Sequence, residues 1–121
     1  MDVLSELVDE DCLLHGWTST QRVTLEEVRQ ALEGQRSAFP DWNITVGELI
    51  AEGDLVASTL TITGTHRGKF KSIEPTGKSV SFNGVFIERV RNGKIVEMWH
   101  RPDFLRLLMQ IGAVSEEIMN S

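Results

Sequence analysis

Asn92 to Gly112 reads NGKIVEMWHRPDFLRLLMQIG. Asn92-Gly93 lies between two apolar runs and signals a hairpin turn, because both residue types tolerate the positive φ a tight turn requires. From Ile95 to His100 the side chains alternate. Ile95, Glu97 and Trp99 share one strand face; Val96, Met98 and His100 share the other. Pro102 has no N–H to give to a sheet and stops the strand. After it Phe104, Leu105, Leu107, Leu108 and Ile111 recur at helical spacing, with Gly112 as the C′ residue. A titratable group, His100, therefore ends an apolar strand face just before a helix, where a pocket floor is expected.

Upstream the pattern is of strands. Val80 to Val90 carries Phe82, Gly84 and Phe86 on one face and Val85 and Ile87 on the other. Leu55 to Thr65 carries Val56, Ser58, Leu60 and Ile62 on one face, with Ala57, Thr59, Thr61 and Thr63 opposite. Alternate threonines suit a face that is half wet or covered by another subunit. Ile44 to Ala51 forms the preceding strand, joined by a Glu52-Gly53-Asp54 turn. Thr24 with Glu27 makes a capping box that opens a helix to about Ala38, apolar along Leu25, Val28, Ala31 and Leu32. Nearer the N-terminus we expect a short helix over Asp2–Val8 and a solvated break at Asp9–Asp11. A short apolar piece, Cys12–His15, and a polar loop, Trp17–Arg22, follow. Helices, four antiparallel strands and a closing helix predict one α+β domain spanning residues 1–121, with the helices on one sheet face.

The chain has 121 residues, 40% of them hydrophobic and 25% charged, enough for a single core. Eighteen acidic residues against twelve basic ones give a net charge of −6, which argues against nucleic acid and anionic membranes as partners. No apolar run is long enough to span a bilayer. The acidic N-terminus lacks the basic flank of a signal peptide. One cysteine, Cys12, leaves no internal disulfide and suits a reducing compartment, so a cytoplasmic location is expected.

Several stretches together resemble the SnoaL-like polyketide cyclases and ester cyclases of the nuclear transport factor 2-like superfamily. They are Ala38-Phe39-Pro40-Asp41, Ile50-Ala51-Glu52-Gly53-Asp54, Gly64-Thr65-His66-Arg67-Gly68, Pro75-Thr76-Gly77-Lys78 and Asn92-Gly93-Lys94-Ile95-Val96-Glu97, then Trp99 and Asp103. Their order and spacing match from about Val3 to Ala113. The resemblance implies a nuclear transport factor 2-like (cystatin-like) cone: a curved antiparallel sheet wrapped around helices, with a pocket at the open end. It also implies homodimers packed through the convex sheet face, where Ile95 and Trp99 would need cover. Relatives usually begin with a further helix of about 20 residues. Met1–Val8 resembles the second helix of that pattern, so a cone more open to water is expected. In the cyclases an aspartate after the strand tryptophan is the acid/base of an intramolecular aldol ring closure. That position is His100 here. The pocket histidine that some cyclases keep on the preceding strand has no counterpart among Phe82, Asn83, Gly84 and Phe86.

His100 is the leading catalytic candidate, since imidazole serves as acid or base near neutrality. Its apolar neighbours Val96 and Met98 should lower its pKa by desolvation. Asp103 either caps the last helix or orients His100. His15, before Gly16, and His66, in the GTHRG turn, are candidate substrate-binding residues, with turn anchoring as the alternative for His66. Phe82, Phe86 and Met98 could line an apolar cavity, with core packing as the alternative. No histidine pair has metal-ligand spacing, so neither a metal nor an organic cofactor is expected. Cys12 reads as a small buried apolar residue, and Trp17, Trp42 and Trp99 as core or interface. The absence of tyrosine removes the hydroxyl with which related cone-fold isomerases stabilise an enolate. Three readings follow: an enzyme acting on an apolar carbonyl compound, a non-catalytic small-ligand binder, or a dimeric interaction module.

Overall fold

The computed structural model describes residues 3–16, 19–115 and 117. Its elements in order are α1 (Val3–Leu7), β1 (Val8–His15), β2 (Thr20–Val23), α2 (Leu25–Ala38), β3 (Asn43–Glu52), β4 (Leu55–Thr65), β5 (Ser79–Arg91), β6 (Lys94–Pro102) and α3 (Phe104–Gln110). The strands form one curved, unclosed sheet in the order β2-β1-β6-β5-β4-β3. β3 to β6 make an antiparallel meander, as the alternation predicts. Among the described residues no helix is long and apolar enough to cross a membrane.

Local chemistry sets the element ends. The Thr24 hydroxyl accepts from the Glu27 N–H at 3.1 Å, and the Glu27 carboxylate accepts from the Thr24 N–H at 3.3 Å, so the capping box forms in full. The far end of α2 is closed by the chain after β4: the Arg67 and Gly68 N–H groups both donate to the Ala38 carbonyl at 3.0 Å. Only a glycine fits there, because a Cβ on Gly68 would collide with the Ser37 carbonyl. Asn92 and Gly93 both take positive φ, 53° and 77°, as a tight β5–β6 hairpin demands. α3 ends in a Schellman motif. Gly112, at φ 82°, donates to the Met109 carbonyl at 3.1 Å, and Ala113 donates to Leu108 at 2.8 Å.

Two apolar clusters hold the helices to the sheet. One joins Ala38 and Phe39 to Leu60, Ile62, Phe82 and Leu107. The other gathers Val8, Cys12, Val23 and Met98, with Val28 of α2 packed on it. At β3, the open edge, every residue is exposed, Leu49 by 67%.

Four expectations are corrected. Asp9–Asp11 is not a break but the middle of β1, which runs parallel to β6; the register jumps between Val8 and Leu13, so the acidic residues swell out to solvent inside the strand. The polar stretch after it contains β2, a short edge strand paired antiparallel to β1, while Trp17 lies outside the described residues. The sheet thus has six strands, not four. Ile95 does not share a face with Trp99. Arg89 pairs with Glu97 but Val90 with Ile95, so Val96 is an extra residue and the alternation inverts there. Ile95 turns inward onto the Val8–Met98 cluster.

Candidate active site

Register partners lie on the same face of a sheet. Leu14 of β1 pairs with Met98, Phe86 with His100 and Ile62 with Phe82, and this shared face is the one the helices cover. Between it and α2 lies a cavity of about 420 Å³. Ile62, Phe86, Met98 and His100 form its sheet wall, Val28, Leu32 and Gln35 its helix wall, and Trp42 and Phe104 its ends. The wall is mostly apolar. Its polar groups are Gln21, Glu27, Gln35 and His100, and the Glu27 carboxylate is engaged in the α2 cap.

His100 is therefore where the strand alternation puts it. Its ring stacks on Phe86 with centroids 4.0 Å apart and planes 17° from parallel. Its Nε2 is buried without a hydrogen-bond partner among the described residues. Burial pushes its pKa down to about 4, with a smaller push from the Arg101 cation, so the imidazole is neutral near pH 7. Arg101 itself turns to the other face, where it donates to the carbonyls of His15 at 2.7 Å and His100 at 3.0 Å, clipping β1 to β6. A neutral imidazole in a mostly apolar cavity offers one acceptor or one N–H donor to a guest, in a setting of low polarity that strengthens either.

Phe86 and Met98 join His100 in the cavity wall; the other candidates do not. Asp103 is the N-cap of α3, accepting from the Arg106 N–H at 3.1 Å, and makes no hydrogen bond to His100. Phe82 is buried in the core edge-on to Trp42, 5.9 Å between centroids. His66 is fully buried under Phe39. Its Nδ1 accepts from the Thr76 N–H at 3.2 Å, which ties the two ends of the Arg67–Pro75 connection together, while its Nε2, like that of His100, is buried with no partner among the described residues. His15 lies on the outer face, because alternation sends Leu14 inward and its neighbour outward. There it stacks on Trp99 at 4.7 Å and meets the Glu97 carboxylate at 2.6 Å. Glu97 also receives Arg89, which reaches Asp54 at 2.8 Å. The His15 hydrogen bond, then that of Arg89, holds the Glu97 carboxyl below its usual range.

Gln35 was missed in the sequence. The signal was there: it continues the apolar stripe of α2 seven residues after Val28, a polar group in phase with an apolar face. Among the described residues, no group of three or more His, Cys, Asp or Glu side chains is placed to hold a metal ion. A second depression, of about 460 Å³, lies on the outer face over Thr59, Thr61, Asn83 and Val85. No helix of the described residues covers that face.

Comparison with known proteins follows the same lines. The fold matches that of AclR from Streptomyces galilaeus, provisionally assigned as a hydroxylase, with TM-score 0.79, 31% identity and coverage of 93% of this chain and 82% of that one. IdmH from Streptomyces antibioticus, provisionally a polyketide cyclase, matches with TM-score 0.77 and 31% identity over 90% of this chain and 84% of its own. A SnoaL-like protein from Jannaschia shares the fold at TM-score 0.83 and 23% identity, over 93% of this chain and 78% of its own. Comparison with functionally curated proteins gives no match. The family model that fits residues 1–111 is that of the SnoaL-like polyketide cyclases, and the chain belongs to that family.

Proposed function

We propose that the α2–sheet cavity binds a small, largely apolar carbonyl compound and that His100 meets its carbonyl group. The observation that carries this reading is a neutral, half-buried imidazole whose Nε2 is buried and, among the described residues, unpartnered, in a mostly apolar wall. A buried polar atom without a partner costs on the order of 1–3 kcal/mol. A guest that supplies the missing hydrogen bond recovers that cost. An N–H directed at a carbonyl oxygen favours the enolate, the intermediate common to ring closure and isomerisation, so a cofactor-independent cyclase or isomerase is the enzymatic form of the reading. The likeness to IdmH supports it.

The test compares binding of α-tetralone, an aromatic ketone, to the wild type and to His100→Leu by titration calorimetry. Leucine keeps an apolar wall and removes the hydrogen bond. The variant should bind about tenfold more weakly; equal affinity would contradict the reading. One observation favours the non-catalytic alternative: an imidazole whose pKa is about 4 is a weak base, suited to hydrogen bonding more than to proton abstraction.

We also propose a homodimer through the outer sheet face. Val85 is 47% exposed there, among the exposed threonines Thr59 and Thr61.

A further inference from the structure

The geometry points to Glu88 as the base of this site: its carboxylate takes a proton from the carbon next to the guest's carbonyl, while the His100 N–H holds the carbonyl oxygen. This inference rests on the carbonyl-binding reading of the cavity.

Glu88 follows Phe86 by two residues on β5, so it shares the inner face with Phe86, Met98 and His100. Its register partners are Val56 on β4 and Met98 on β6. Because Phe86 pairs with His100, Glu88 and His100 are diagonal neighbours, a relation that sets their backbones about 7–8 Å apart. That separation accommodates a carbonyl group and its α-carbon between them. Glu88 does not itself line the cavity; its cross-strand neighbour Met98 does, an unbranched thioether whose change of rotamer would open the way to the carboxylate. A carboxylate on this face is out of place unless it is used, since half-buried charges are ordinarily paired. Glu88 is half-buried, and among the described residues its side chain has no hydrogen-bond or ion-pair partner. The other acidic groups near this sheet end are spoken for, Glu97 by His15 and Arg89 and Asp54 by Arg89 and Arg91. Cys12, the titratable group that feels Glu88 from β1, is itself held protonated, its pKa pushed up to about 11 by burial.

Burial also raises the Glu88 pKa above the ordinary glutamate value, which makes it a stronger base than a free carboxylate. His100 is pushed the opposite way. Two titratable groups with opposed shifts divide the labour: the carboxylate accepts the proton, and the neutral imidazole donates a hydrogen bond to the oxygen that gains charge. In the step, the C–H bond breaks, its electrons form the enolate, and the proton resides on Glu88. Return of that proton, or of one exchanged with solvent, to carbon completes an isomerisation or exchange. Attack of the enolate carbon on a second carbonyl would close a ring. Neither route needs an oxidant or reductant.

The experiment follows exchange of the α-hydrogens of α-tetralone for deuterium in D2O by NMR, together with its binding by calorimetry, for the wild type, Glu88→Gln and Glu88→Asp. Glutamine is isosteric and removes an unpaired charge, so the fold should be retained with an unchanged or higher Tm. The inference expects wild-type exchange above background, a loss of about 100-fold or more in Glu88→Gln, partial activity in Glu88→Asp, and ketone affinity unchanged within about threefold. Exchange by Glu88→Gln at the wild-type rate overturns the role of Glu88 and leaves the cavity reading standing. Binding by the wild type without exchange does the same. A wild type that neither binds nor exchanges the ketone overturns both.

Discussion

His100 ties pH to stability. Its pKa is about 4 in the fold against 6.5 for a free imidazole. Between those values the unfolded chain binds a proton that the folded chain refuses, so stability falls as pH drops through the window and is constant, for this group, above it. The full loss is about 3 kcal/mol. Urea unfolding at pH 7 and pH 4.5 should show the wild type losing stability more steeply than His100→Leu; parallel losses would mean that the ring is hydrated in the fold. Asp103 behaves differently. As a helix cap, its replacement by alanine should cost about 1 kcal/mol in the same melts and leave ketone affinity unchanged. A loss of affinity would restore it as a candidate site residue. Parity explains what could be read at this scale. Counting back from Pro102 puts Met98 and His100 on one face and survives in the structure, but counting on to Ile95 fails at Val96. A bulge is set by how two strands pair, and valine carries no mark of it. His15 and Leu14 show the reverse hazard: being one residue off exchanges cavity for outer face.

Elements whose ends are fixed by their own residues were legible in advance. The α2 cap needs only Thr24 and Glu27, and the α3 stop only Gly112 at its positive φ. Both are open to test by thermal unfolding. Thr24→Ala should cost about 1 kcal/mol. Gly112→Ala should cost a similar amount, about 1 kcal/mol, because alanine is strained in the left-handed region. An unchanged Tm in either would show that the end frays in solution. β1 and β2 were not legible, because what makes them strands lies elsewhere in the chain. Asp9-Glu10-Asp11 has the composition of a solvated turn, and it is the β6 backbone, some 80 residues on, that draws the segment into the sheet. The cavity shares this dependence. Val28 and Leu32 look like core on their helix, and only the distance between α2 and the sheet makes them walls.

At the scale of the molecule, the helices cover one sheet face and leave the other bare. The outer face carries Thr59, Thr61 and Val85, with Arg101 beside Val85, and it is the face proposed above for a second copy. Val85→Arg should therefore shift a dimeric wild type to monomer in sedimentation equilibrium. A monomeric wild type would remove the dimer from the account. The central claim concerns the opposite face, that a guest enters the α2–sheet cavity and meets His100. The most direct measurement follows the ring signals of all three histidines by NMR while α-tetralone is added at pH 7. His15 is engaged by Glu97 and Thr20 on the outer face, and His66 is buried under Phe39. The account predicts that the His100 signal shifts in a saturable way while those of His15 and His66 stay in place. A saturable shift of His15 or His66 with His100 unmoved, or no shift at all, would contradict it.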